Sequence, residues 1–500
     1  MKKKIIGVTI IVCLLIGIAL SISIDWLYNS FNELKLEEII FQLKVPIEGA
    51  DTTLVYEYLN TCLWKIILST IILSIILIYP NAKDIKIKEK INIQTSNKKK
   101  TAVITTMLSV FILLISINKV VKATDIKEYI SNQMNNSKFI ENEYVDPKTA
   151  KIEFPEKKKN LIYIYLESME STYYSQEDGG LFKQNLMPEI SKLAKENISF
   201  SNTDKLGGAY ALYGATWTVG AMTAQSAGIP LKIGIEQNSL DQYSKFLDGA
   251  YTIGQVLEDN GYKNYILMGS EAGYAGRKNF YQQHGNYEIY DVNTAEEEGK
   301  INERVWWGFN DSILFEMAKE KLKTISKQDE PFNFTMLTVD THFQDGYLCE
   351  DCDNKFDEQY KNVIACSSKK VAEFVKWVQE QDFYEDTTIV ISGDHLSMQK
   401  DFFEIDENSE YEKTVINLFI NSFSNTDNTK NRQFSTMDLY PTTLAALGVK
   451  IEGERLGLGT NLFSNEKTLL EKYGKEYVDG ELRKTSKFYN TNILVNNRKG

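Results

Sequence analysis

Histidine is scarce in these 500 residues: only His284, His342 and His395 occur. Positive charge is in deficit as well, with 56 Lys and Arg against 68 Asp and Glu and a net charge of -12. That balance argues against a nucleic-acid partner, because phosphate backbones call for clustered Lys and Arg. An acidic domain that handles an anionic substrate needs a local positive charge, and a bound metal is the obvious source. Cysteine is limited to five. Cys13 and Cys62 lie in or beside apolar segments and read as small hydrophobes. Cys349, Cys352 and Cys366 cluster in a polar region, but no second ligand pair follows at zinc-finger spacing. If that region is extracellular, a Cys352–Cys366 bridge is favoured, leaving Cys349 over. It would close a loop of about 15 residues, worth roughly 3 kcal/mol. Neither an internal repeat nor a low-complexity tract is visible.

What the chain has in abundance is apolar length near its start. Ile5–Ile24 carries no charge, about 59–79 carries only Lys65 near one end, and 101–121 is uncharged to Ile117. Each approaches the ~20 residues needed to cross a bilayer. The lysines set the direction. Lys2, Lys3 and Lys4 precede the first segment, and Lys83, Lys86, Lys88, Lys90, Lys98, Lys99 and Lys100 join the second to the third. The loop between the first two is acidic, with Glu33, Glu37, Glu38, Glu48, Asp51 and Glu57. The positive-inside rule puts the N-terminus and the 81–100 loop in the cytoplasm, and everything after Val121 outside. Were the first segment a cleaved signal peptide, two crossings would remain and the outcome would not change.

Residues 122–157 are polar without sustained period and read as a juxtamembrane stalk. Beyond them, Leu161–Leu166, Asn264–Met268, Phe334–Val339 and Thr388–Ser392 are short apolar runs that suit strands buried on both faces. Between them Met187–Asn197, Thr252–Asn260 and Tyr360–Gln381 have helical spacing. The alternation predicts an α/β sandwich with a largely parallel sheet over 158–465, followed by a tail, 466–500. The anchor, 1–121, is expected as a bundle of three transmembrane helices.

Three of the strands run into residues suited to metal or acid–base work. LIYIYL leads into Glu167 and Ser168, TMLTV into Asp340, Thr341 and His342, and TIVIS through Gly393 into Asp394 and His395. Ligands of open α/β sheets bind beyond the carboxyl ends of the strands. Two of the three histidines fall there, beside carboxylates.

NLIYIYLESMESTYY, TWTVGAMTAQSAGIPL, GYKNYILMGSEAGYAGRKNFYQQHG, FTMLTVDTHFQDGY, TTIVISGDHLSM and STMDLYPTTLAALGVKIEGERLGLGTNLF resemble one family in order and spacing, over roughly residues 155–465. It is the phosphoglycerol transferase I family of periplasmic glucan synthesis. More distantly the chain is similar to lipoteichoic acid synthase and to the sulfatase-like branch of the alkaline phosphatase superfamily. The resemblance implies an alkaline phosphatase/sulfatase-like fold and a hydroxyl nucleophile sharing its site with one divalent metal. By position Glu167, Asp394 and His395 match the ligands. A threonine of GATWTVGA matches the nucleophile: lining up W-T-V-G-A-M favours Thr218, with Thr216 two residues earlier in the alternative register. Metal coordination is a standard way to activate a weak hydroxyl. His342 matches a residue that contacts the substrate phosphate or acts as acid, and Arg277 one near the phosphate. His284 reads instead as holding a turn, and Asp340 is not assigned a role. Two carboxylates and an imidazole suit Mn²⁺, with Mg²⁺ or Zn²⁺ as alternatives.

The resemblance implies movement of phosphoglycerol from a membrane phospholipid, phosphatidylglycerol above all, to a glycan or polymer hydroxyl through a phospho-threonine. Phosphoethanolamine transfer is a near neighbour. A hydrolase or phosphodiesterase is the alternative, although the C/S-x-P-x-R motif of sulfatases is missing at the matching place. A non-catalytic membrane sensor on the same fold is a third.

Overall fold

The computed structural model describes residues 2–31, 35–44, 53–82, 85–87, 91–93, 98–232, 246–342, 344–399, 402–403 and 411–494. Lys83, Lys88 and Lys90 of the basic loop, and Glu33, Glu48 and Asp51 of the acidic one, lie outside the described residues. The chain divides into two compact units: residues 1–36 with 51–130, and residues 37–50 with 131–500.

The smaller unit carries three helices long and apolar enough to cross a membrane, Ile5–Ser30, Leu54–Ile78 and Lys100–Ala123. The first is longer than its uncharged run because nothing after Ile24 breaks a helix, and Asp25 is answered by Lys119 at 2.5 Å. Gly17 marks close packing of the first and third: a Cβ there would lie 3.1 Å from the Leu113 Cα. Small residues allow such approach where lipid offers no hydrophobic drive.

The larger unit is built on a six-stranded sheet: β1 Asn160–Leu166, β2 Lys263–Met268, β3 Glu288–Tyr290, β4 Phe332–Leu337, β5 Thr387–Gly393 and β6 Asn417–Ile420. The spatial order is β3-β2-β4-β1-β5-β6, parallel except for β6 against β5. The continuous apolar runs are explained by cover on both faces. Along β1, Leu161, Tyr163 and Tyr165 enter one core while Ile162, Ile164 and Leu166 enter the other. The first core takes in the Thr218–Ala227 and Leu439–Ala446 helices, and the second the Pro188–Glu196 and Gln359–Gln379 helices. The edge strands β3 and β6 were not apparent from sequence, being only three and four residues long.

Residues on either side of the sheet's span also pack into this unit. Ile152–Glu153 pairs antiparallel with Lys450–Ile451, and Val478, Leu482 and Tyr489 from 466–494 are buried in the first core. Cys352 and Cys366 are joined, with Cα atoms 5.4 Å apart, and Cys349 is left free.

The arrangement fixes where chemistry can occur. β4, β1 and β5 are neighbours in parallel register, Tyr165 facing Leu337 on one side and Ser392 on the other. Their carboxyl ends therefore open side by side.

Candidate active site and metal centre

Glu167 leaves the end of β1 with its backbone held on both sides: its N–H donates to Thr338 Oγ1 at 3.0 Å, and its carbonyl accepts from Thr341 Oγ1 at 2.5 Å. Ser168 follows in the left-handed region at φ 54°. A non-glycine residue there carries strain that the surroundings must compensate. Here its N–H donates to Asp394 Oδ1 at 2.8 Å and its hydroxyl to Glu167 Oε1 at 2.7 Å. The strained residue thus ties the two carboxylates together.

Asp394 and His395 follow β5 through Gly393. A Cβ on that glycine would meet the Met169 carbonyl at 1.9 Å, so only glycine lets the strand pass. His395 Nδ1 lies 2.8 Å from the Leu396 carbonyl, which only a protonated Nδ1 can satisfy. That contact points Nε2 at the cluster, 3.4 Å from Glu167 Oε1 and 3.5 Å from Asp394 Oδ2. Thr218, the first residue of the Thr218–Ala227 helix, completes the group. Its Oγ1 is 3.4 Å from both Glu167 Oε2 and His395 Nε2.

These separations are long for hydrogen bonds. They match the ~3.4 Å edge of a tetrahedron whose arms are about 2.1 Å. Asp394 Oδ2 is buried without a hydrogen-bond partner, a costly arrangement that a bound cation would relieve. Ligand atoms of Glu167, Asp394 and His395 all lie within 4.8 Å of one another, and all three residues are buried. Donor set and spacing therefore fit a divalent metal. Cys349, Asp351 and Cys352 are also close together, but Cys352 has given its sulfur to the disulfide.

The electrostatics follow from two carboxylates buried together. Burial and the adjacent Glu167 push Asp394 up to about 8. Burial also pushes Glu167 up, yet His395, His342 and the Ser168 hydroxyl outweigh it and hold that carboxyl below its usual range. His395 is raised to about 9, because Asp394 and Glu167 overcome the burial that disfavours its charge. The pair of acids behaves as one carboxylate and one acid, with the proton waiting to be displaced.

A family model described as Sulfatase matches residues 159–449. The chain belongs to the sulfatase family. The match spans β1 to β6 and contains Glu167, Thr216, Thr218, Arg277, His342, Asp394 and His395. Phosphoglycerol transferase I of Xanthomonas campestris pv. campestris (strain B100) is 31% identical over 319 residues, 62% of this chain and 43% of that protein. The chain thus spans less than half of that relative. Two solved structures share the fold. Lipoteichoic acid synthase LtaP from Listeria monocytogenes is 17% identical with a TM-score of 0.50, covering 66% of this chain and 82% of its own. The integral membrane protein lipooligosaccharide phosphoethanolamine transferase A from Neisseria meningitidis is 11% identical with a TM-score of 0.51, covering 89% and 84%.

Within this sulfatase-family frame the residues singled out from sequence divide into groups. Glu167, Thr218, Asp394 and His395 meet. His342 acts electrostatically on Glu167, and its ring meets Trp307 edge-on at 4.9 Å. Arg277 is buried and turned toward the strand ends, donating to Ser270 Oγ at 3.0 Å and the Glu271 carbonyl at 2.7 Å. Its charge also reaches Glu167. Thr216 stands apart from the four: its hydroxyl donates to Glu38 Oε1 at 2.5 Å. His284 links the Phe246 carbonyl to Gln255, holding a turn. Asp340 accepts from the Asp311 N–H and lies beside Cys349 and Lys370, bracing the segment that carries His342.

Ser168 was marked beside Glu167 at the end of its strand, but its strain, a property of the folded backbone, had no signal in sequence. Two contributors escaped sequence reasoning altogether. Gln225 is buried and donates to the Gly393 carbonyl at 2.9 Å, fastening the Thr218 helix to the strand end that carries Asp394. It stands seven residues after Thr218, two helical turns on the same face, so a helix drawn from Thr218 would have pointed to it. Glu38 lies some 180 residues away in sequence, and local pattern cannot reach it.

Proposed function

We propose that this protein is a membrane-anchored phosphotransferase that moves phosphoglycerol from phosphatidylglycerol to a glycan or polymer hydroxyl through a phospho-threonine. The observation that carries the reading is the Thr218 hydroxyl, 3.4 Å from both Glu167 and His395 at the ends of two adjacent strands. Glu167, Asp394, His395 and Thr218 would hold one divalent cation, Mn²⁺ by preference. Bound there, it would supply Lewis-acid charge for the phosphoryl oxygens and lower the pKa of the hydroxyl.

In the first half-reaction the Thr218 hydroxyl loses its proton to solvent and its oxygen attacks phosphorus, an O–P bond forms, and the bond to the diacylglycerol oxygen breaks. His342 gives its proton to the departing alkoxide, and Arg277 faces the phosphate oxygens. In the second half an acceptor hydroxyl gives its proton to His342 and attacks the same phosphorus, and the O–P bond to Thr218 breaks, its oxygen regaining a proton from solvent. The named relative supports the head group, and the apolar spans support a donor drawn from the bilayer. By the distribution of lysines, residues 131–494 face the outside, where phosphatidylglycerol and a nascent glycan are both within reach. A threonine hydroxyl at the cluster, without the C/S-x-P-x-R pattern, favours phosphate esters over sulfate esters.

The test is the full chain in vesicles containing phosphatidylglycerol labelled in its head-group glycerol, with Mn²⁺ and a soluble glucan. Label on the glucan, with diacylglycerol released in equal amount, supports transfer. Free glycerol phosphate with an unlabelled glucan would mean a phosphodiesterase. Label transferred only from phosphatidylethanolamine would reassign the head group.

A further inference from the structure

Residues 37–44 belong to the acidic connection between the first two apolar spans, yet they pack within the larger unit. Three contacts fix them. Glu37 Oε1 lies 3.7 Å from Arg483 Nη1, Tyr274 donates from its hydroxyl to Gln42 Oε1 at 3.2 Å, and Thr216 donates to Glu38 Oε1 at 2.5 Å. Their partners come from three separate places: the Lys475–Arg483 helix, the turn before Arg277, and the turn before Thr218.

Glu38 is only 8% exposed, so its carboxylate depends on protein partners in place of water. Trp217, between the two threonines, has an extended backbone at φ -138° and ψ 160°. Thr216 and Thr218 flank this one residue, so the turn that Glu38 holds leads directly into the helix whose first residue, Thr218, meets Glu167 and His395. Glu38 is also near enough to His395 for its charge to act on the imidazole.

We propose that Glu38, delivered by the chain between the first two spans, is a positioning residue of the active site that holds Thr216 and thereby aims Thr218. The proposal rests on Thr218 being the nucleophile. Hydrogen bonds to a charged acceptor are the strong ones, and this one anchors the turn from which the Thr218 helix starts. Loss of aim by about 1 Å is enough to cost on the order of 100-fold in rate.

The experiment uses the full chain with Glu38→Ala, Glu38→Gln, Thr216→Ala, Thr216→Ser and the Glu38→Ala/Thr216→Ala pair. Transfer from phosphatidylglycerol vesicles is expected to fall by roughly 10- to 100-fold in kcat in either alanine variant, with KM unchanged. Glu38→Gln keeps an acceptor oxygen and Thr216→Ser keeps the donor, so both should recover most of the rate. The double variant should be no slower than the worse single one, since both remove the same bond. Amide hydrogen exchange of residues 212–220 supplies a readout that needs no substrate: faster in Glu38→Ala, as wild type in Glu38→Gln. Unchanged kcat, additive losses, or unchanged exchange at 212–220 in Glu38→Ala would overturn the proposal. So would a fall in thermal stability with exchange faster throughout the unit and full kcat per folded molecule. If the wild type transfers nothing from phosphatidylglycerol, the donor assignment fails on its own, and local exchange decides for or against Glu38.

Discussion

Asp394 and His395 both keep their protons to a higher pH in the folded protein than in an unfolded chain, from 3.8 to about 8 and from 6.5 to about 9. A raised folded pKa gives stability that is complete below the unfolded value and lost as pH rises through the folded one. For these two groups the windows overlap between pH 6.5 and about 8, beside a Glu167 that is already charged. Thermal scans of chelator-treated protein should therefore show Tm falling steadily from pH 6.5 to 9. Added Mn²⁺ should restore most of the loss at the alkaline end, because ligands bind metal deprotonated. A flat Tm in chelator, or equal gains from Mn²⁺ at every pH, would speak against the cluster as a metal site. Glu167, Asp394 and His395 could be read from sequence because each directly follows an apolar strand, and a strand end is a place in space as well as in sequence. Between Thr216 and Thr218 the sequence favoured Thr218 without settling the choice, since only two residues of register separate them. The fold places Thr218 at the carboxylates because it opens a helix whose Gln225 is bonded to the Gly393 carbonyl.

The elements that position these residues make their own predictions. Gly393→Ala would drive a methyl group into the Met169 carbonyl, backbone against backbone, with no flexible side chain to yield. A loss of at least about 3 kcal/mol is expected, seen as a large drop in Tm or as failure to fold. Gln225→Leu fills the same space but removes the bond to the Tyr163 hydroxyl and one of the two bonds to the Gly393 carbonyl, which keeps only Ser392 Oγ. It should cost about 1–3 kcal/mol of stability and lower kcat more than it raises KM. Unaltered kinetics would show that the helix and β5 stay aligned by packing alone. The four long strands and three of the helices were legible because burial on both faces produces unbroken apolar runs. The short edge strands were not, since three or four residues hold too little pattern to distinguish pairing from loop.

At the scale of the whole molecule, residues 131–157 and 466–494 show what a polar composition conceals. A segment without apolar period can still deliver single anchors to a core, as Phe139, Ile140, Val478 and Tyr489 do. The Cys352–Cys366 bridge fits an oxidising compartment. Replacing both cysteines by serine should lower unfolding stability by roughly 2–4 kcal/mol, with little effect if the purified protein is already reduced. Orientation is checked with a cysteine at the exposed Lys467. A membrane-impermeant maleimide should label it in intact cells, and labelling only after lysis would invert the topology. The account as a whole turns on one oxygen atom. Full-length protein incubated with phosphatidylglycerol and Mn²⁺, quenched in acid and digested with trypsin, should yield the Leu206–Lys232 peptide carrying one phosphoglycerol. Fragmentation should place that group on Thr218, and the adduct should vanish in Thr218→Ala and persist in Thr218→Ser. An adduct on Thr216, or undiminished transfer by Thr218→Ala, would contradict the reading.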